Sequence, residues 1–187
     1  MNKSTRFLCA FALLILAGGA GAFAATVTIE GTPVPTPPKP DFSSMSYNVG
    51  TWTCTDLSSR RPGPFTITEV YSMDPTGYWL IRENTTHKAS WIPRDLHSET
   101  KYTWDTLAKR WVRITMGDLG GYSVATAPMP VAGKKTYTYV IQSKAPGIAS
   151  YAPEVYTKVS DTEKTMTTSF TETTGRVVMV KETCKKN

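Results

Sequence analysis

The sequence predicts an all-β domain, an antiparallel up-and-down β-barrel of about eight to ten strands, and three observations carry that expectation. With the first 24 residues set aside, the remaining 163 hold 28 Thr against five Leu, a bias toward β-branched residues and away from strong helix formers. From Gly50 onward, short runs that alternate polar and apolar residues recur between turn signals. Cys54 and Cys184 fall in the first and last of these runs, 130 residues apart. Ten short antiparallel strands either stack as a sandwich or close as a barrel. A disulfide between the first and last strands needs them to be neighbours, and a meander closes into a barrel by pairing those two. Composition excludes a helical bundle. Five Trp and nine Tyr exclude a disordered chain, and a single long apolar run excludes a multi-span membrane protein.

The N-terminal segment comes first. A basic start (Lys3, Arg6), the apolar run Phe7 to Leu16 and the small residues through Ala22-Phe23-Ala24 read as a cleavable signal peptide over residues 1–24. The apolar stretch is shorter than the ~20 residues of a spanning helix and is followed by Gly18, Gly19 and Gly21, so no integral span is expected after cleavage. Export places the chain in the periplasm or outside the cell, an oxidising compartment where Cys54 and Cys184 can pair. Loss of Lys3 and Arg6 lowers the net charge from +6 to +4, too mild a basicity to predict a nucleic-acid partner. Residues 25–44 form a Pro-rich spacer, since five prolines between Gly31 and Pro40 enforce extended geometry and exclude both helix and central strand. A short helical turn over Asp41 to Tyr47 then leads into the barrel domain, residues 45–187.

Within that domain, strands are predicted at about 50–57, 64–73, 78–86, 98–105, 110–117, 121–127, 135–143, 154–160, 164–172 and 176–184. Turn chemistry separates them. Asp74-Pro75-Thr76-Gly77 places Asp, Pro and Gly where a type I turn uses them, and Asp118-Leu119-Gly120-Gly121, Ala132-Gly133, Ser160 to Glu163 and Thr173-Thr174-Gly175 serve similarly. Alternation assigns faces: Phe65, Ile67, Glu69, Tyr71 and Met73 share one, as do Thr100, Tyr102 and Trp104, then Val112, Ile114 and Met116, then Tyr137, Tyr139 and Ile141, then Met166, Thr168 and Phe170. If Trp52 points inward so does Cys54, and Cys184 shares its face with Val178, Val180 and Glu182.

Gly50-Thr51-Trp52 opens the first strand. Together with Tyr102-Thr103-Trp104-Asp105, Lys109-Arg110-Trp111, Asp118-Leu119-Gly120-Gly121-Tyr122 and a terminal Glu182-Thr183-Cys184 answering Thr53-Cys54, it makes residues 45 to 187 resemble an uncharacterised group of exported bacterial domains of lipocalin-like, or calycin-type, shape. The resemblance implies a scaffold that encloses a small apolar or amphipathic molecule. It also implies that Trp52 plugs the barrel floor under a basic side chain, Arg176 or Lys181. Haem-binding relatives of this shape use a histidine near the chain end, whereas the last histidine here is His97, so no haem and no other cofactor is expected.

Catalytic chemistry finds little support. There is no Gly-x-Ser-x-Gly elbow, and only His87 and His97 offer a base that titrates near neutrality. Those two with Asp95 lack any short metal-ligand spacing, so no metal site is expected. Glu69 and Glu83 stand out because both fall inside strands beside aromatics; a carboxylate turned inward needs a partner, and Arg82, Arg113 and Arg176 are available. The expected ligand-binding residues are Phe65, Ile67, Glu69, Tyr71, Tyr102, Trp104, Tyr137 and Tyr139, converging on one interior cavity. The functional expectation is thus a non-enzymatic exported binder of a small apolar or amphipathic ligand. The alternative is a structural or adhesive cell-envelope module with a filled core.

Overall fold

The computed structural model describes residues 28–29, 32–33, 36–60, 63–129, 134–143 and 145–187. The segment read as a signal peptide lies outside them. Among the described residues no helix is long and apolar enough to cross a membrane. The chain divides into two units, Met1–Thr36 and Pro37–Asn187. In the first, Thr28–Ile29 (β1) and Thr32–Pro33 (β2) pair antiparallel in one short ladder.

The second unit begins with a 3₁₀ helix, Ser43–Asn48 (η1), at the helical turn expected there. Strands follow at Gly50–Ser58 (β3), Phe65–Met73 (β4), Leu80–Thr86 (β5), Leu96–Asp105 (β6), Arg110–Gly117 (β7), Tyr122–Ala127 (β8), Thr136–Ile141 (β9), Ile148–Tyr151 (β10), Glu154–Lys158 (β11), Glu163–Glu172 (β12) and Val177–Lys186 (β13). Each pairs antiparallel with its sequence neighbour from β3 to β9, then β9 with β11, β11 with β12, β12 with β13, and β13 with β3. The result is a closed antiparallel barrel of ten strands. The eleventh strand, β10, was not expected. It pairs with the far half of β12, and Ala152-Pro153 separates it from β11, so the two are one strand broken where proline removes a ladder donor.

Closure is visible in the register. Cys54 stands directly opposite Cys184, Cα to Cα 3.9 Å, and the two form the disulfide that ties the first barrel strand to the last. Alternation sets what lies inside: Trp52, Cys54 and Asp56 on β3; Ile67, Glu69 and Tyr71 on β4; Thr100 and Tyr102 on β6; Tyr137 and Tyr139 on β9; and Val178, Glu182 and Cys184 on β13 are all buried. The excess of threonine appears on the opposite face. Thr66, Thr55, Thr183, Thr165, Thr157 and Thr136 stand in register across six adjacent strands, where a β-branched polar side chain suits a solvated pleat.

One end of the barrel is stoppered by η1 and the residues around it. Phe42 packs on Trp111, ring centroids 5.2 Å apart, and Trp104 meets Trp111 edge-on at 5.4 Å. Three strands reach up to the helix backbone: Trp52 Nε1 donates to Asn48 O at 2.7 Å, Lys186 Nζ to Tyr47 O at 3.0 Å, and Tyr137 Oη to Ser44 O. Gly50 makes the sharp entry into β3 at φ +118°, and a side chain there would stand 3.0 Å from Lys186 Cε. Toward the other end, Phe65 meets Trp91 edge-on at 5.0 Å, and Ile92 is buried.

Candidate functional site

The barrel interior is charged. Glu69 Oε1 accepts from Arg82 Nη1 at 2.9 Å, and Lys164 Nζ stands 2.7 Å from Glu69 Oε2. Arg82 Nη2 also donates to Thr100 Oγ1 at 3.2 Å, and Lys164 Nζ to Tyr71 Oη at 2.9 Å and Asn48 Oδ1 at 3.3 Å. These contacts follow from register. Alternation turns Glu69 inward on β4 and Arg82 inward on β5, while β12 brings Lys164 in from across the barrel. Burial pushes the Glu69 carboxyl up, but the Arg82 guanidinium and Lys164 ammonium outweigh it and hold it below the usual carboxylate range. Burial, with the charge of Arg82, holds Lys164 below the usual lysine value although Glu69 raises it. A second pair lies further round the wall, where Arg113 bonds Glu154, and Tyr156 Oη accepts from Arg113 at 3.1 Å and lies 3.2 Å from Glu154.

Aromatic faces cover these cations. Lys164 Nζ sits 4.1 Å from the Tyr71 ring centroid and 4.6 Å from that of Trp52; the Arg82 guanidinium lies 6.0 Å from Tyr71 and from Tyr102, and that of Arg113 5.2 Å from Tyr139. Trp52 is fully buried. The basic side chains over it are Lys164 and Lys186, not Arg176 or Lys181: Lys186 Nζ is 5.5 Å from its ring, whereas Arg176 bonds Ser59 O and Lys181 is exposed on β13. The reason is position along the strand, since Lys186 ends β13 beside Trp52 in register.

Between η1 and the inner wall lies a chamber lined by Met45, Tyr47 and Asn48 on the helix side, by Leu80, and by Tyr71, Tyr102, Tyr137, Tyr139 and Tyr156. It leaves about 30 Å³ for the centres of water-sized molecules, room for one or two waters. Tyr139 Oη is buried with no hydrogen-bond partner.

Of the eight residues expected to line one cavity, the chamber therefore gathers Tyr71, Tyr102, Tyr137 and Tyr139. Glu69 is buried beneath it in the ion network. Phe65 packs toward the opposite end against Trp91, Ile67 belongs to the core cluster, and Trp104 packs on Trp111 at the edge of an outer groove shared with Trp79 and Pro37 to Pro40. The nine residues of β4 run from one end of the barrel to the other, so one inward stripe serves both ends. Lys164, Tyr156, Glu154 and Met45 were not foreseen. Extending the Met166-Thr168-Phe170 alternation back two residues reaches Lys164, so a signal for it existed.

The remaining candidates lie elsewhere. Glu83 is exposed opposite Glu99. His87 and His97 hydrogen-bond to the threonine hydroxyls of Thr68 and Thr85, at 2.7 and 3.2 Å, and His87 Nδ1 is 3.4 Å from Asp95 Oδ2. The one group of potential metal ligands close together among the described residues is Cys54, Cys184, Glu69 and Glu182. Both sulfurs there are committed to the disulfide, and Glu69 is held by two cations.

No protein-family model matches the sequence, and no curated protein does. Among solved structures, the chain is similar to a protein of unknown function from the DUF3598 family of Nostoc punctiforme PCC 73102, with a TM-score of 0.40 and 14% identity, covering 85% of this chain and 54% of that one, so that it spans about half that protein's length.

Proposed function

We propose that this chain is a non-enzymatic structural module of the cell envelope that works through its outer surface, its barrel filled by its own side chains. One observation carries this reading: the interior opening is about 30 Å³, where a site for a drug-sized ligand needs several hundred. The space a ligand would occupy holds the Glu69–Arg82–Lys164 and Arg113–Glu154 networks instead. The segment over residues 1–24, with its basic start and apolar run, supports export of the module. A titration of the folded protein with a fluorescent apolar probe tests the filled interior, and no saturable binding is expected at micromolar concentrations.

The second reading, a binder of a small amphipathic molecule, is favoured by the Tyr139 hydroxyl, which is buried without a partner on a residue that lines the chamber. Saturable probe binding that disappears in a folded Tyr139→Ala variant would establish it and overturn the first.

A further inference from the structure

Around the disulfide the barrel wall carries more buried acid than base. Asp56 on β3 and Glu182 on β13 are direct partners in the register of the closing seam, and both are buried. The charged groups that act on Glu182, besides Asp56, are Glu69 from β4, Arg82 from β5 and Lys164 from β12. Three carboxyls thus share two cations, and both cations are engaged by Glu69, Arg82 at 2.9 Å and Lys164 at 2.7 Å. Arg113, the next cation on the inner wall, has its own acid in Glu154.

What remains for Asp56 and Glu182 is unsuited to carboxylates. Asp56 Oδ1 is buried with no hydrogen-bond partner. Glu182 Oε1 lies 3.4 Å from Cys184 Sγ, a disulfide sulfur with no proton to donate, so a hydrogen bond there runs only from a protonated Glu182 to the sulfur. Two ionised carboxylates side by side, out of water and without a cation, repel each other and forfeit their hydration, and neutralisation by a proton relieves both costs.

We propose that Asp56 and Glu182 form a proton-holding lock on the seam between the first and last barrel strands: the seam is firm while the pair is protonated and loosens when both carboxyls ionise. Burial, and then the charge of Glu69, push Glu182 up to about 8, and burial pushes Asp56 up to about 6. The unfolded chain releases these protons near the ordinary values of 4.5 and 3.8. Over the interval between, the folded barrel holds more protons than the unfolded chain, so the unfolding constant rises with pH. The stabilisation is complete below the unfolded values and is lost as pH rises through the folded ones.

The test is urea unfolding of the full chain from pH 5 to pH 8, wild type beside Glu182→Gln. One extra proton held in the fold raises the wild-type unfolding constant about tenfold per pH unit, several hundred-fold across the range, relative to the variant. Comparison with the variant cancels what Glu69 and Lys164 contribute in common to both proteins. Parallel pH profiles overturn the proposal. Should Glu182→Gln fail to fold, infrared spectroscopy of the wild type decides: a protonated-carboxyl carbonyl band at pH 7 that fades by pH 9 supports the lock, and its absence at pH 7 refutes it. Amide exchange locates the effect. Exchange in excess of the chemical rate is expected to grow with pH at Asp56 to Ser58 and Val180 to Glu182, and equal growth in the β6–β7 hairpin would show that the seam is not what loosens.

Discussion

Lys164 Nζ lies 2.7 Å from Glu69 Oε2, although the two residues sit on strands that are not neighbours in the barrel. Their side chains are 4% and 1% exposed, so water screens this pair little. Taking one ion from a buried pair strands the other without solvent, at a cost of about 3–5 kcal/mol. Lys164→Met is expected to lose that much in urea unfolding at pH 7. A loss below about 1 kcal/mol would show that Arg82 alone satisfies Glu69.

The disulfide joins strands 130 residues apart. By loop-closure entropy, that separation limits its stabilisation to about 5 kcal/mol, and native strain or residual unfolded structure reduces the figure. The Cys54→Ala, Cys184→Ala double variant is expected to lose about 2–5 kcal/mol by denaturant unfolding while keeping the all-β circular dichroism spectrum. An unchanged midpoint would mean that seam pairing holds the closure without the cross-link.

Tyr139 separates packing from polarity. Its hydroxyl has no partner, whereas its ring packs against Tyr102 and Tyr156 at centroid distances of 6.1 and 5.9 Å. Tyr139→Phe is expected to shift stability by less than about 1 kcal/mol, because no hydrogen bond is lost, and Tyr139→Ala to cost about 3–5 kcal/mol through the cavity it leaves. Comparable losses in both variants would reveal an ordered water on the hydroxyl.

Acid acts through Glu69 in the direction opposite to the seam pair. Its folded value lies below the ordinary 4.5, so its stabilisation is present above that value and disappears as pH falls through the folded one. The barrel is therefore expected to weaken below about pH 4.5, with a shallower acid limb in Glu69→Gln. Unfolding midpoints taken from pH 2 to pH 5 check this, and an identical acid limb would place the titrating group elsewhere.

The ten barrel strands were legible because period-two alternation and turn residues are local signals: Asp74 accepts from Trp79 N and Gly77 N where the Asp-Pro-Thr-Gly segment calls for a turn. The strand β10 was not, since Ile148 to Tyr151 is a four-residue run between Gly147 and Pro153 and reads as loop. Glu69 and Arg82 could be paired from sequence because they lie on adjacent strands. Alternation puts Lys164 on an inward face, but only barrel curvature brings it to Glu69, three strands away. The size of the chamber depends on how η1 seats among five tyrosines, and no local pattern encodes that fit.

Pairing of β3 with β13 also bears on how the chain is made. At a synthesis rate of about 5–20 residues per second, β3 leaves the ribosome roughly ten seconds before its partner exists, with one row of backbone groups unpaired throughout. Every strand from β4 to β12 can add to the growing sheet meanwhile, yet the sheet stays open. A chain lacking β13 would keep two raw edges, one on β3 and one on β12, so the arrival of β13 completes the cylinder in a single step rather than adding a tenth of it.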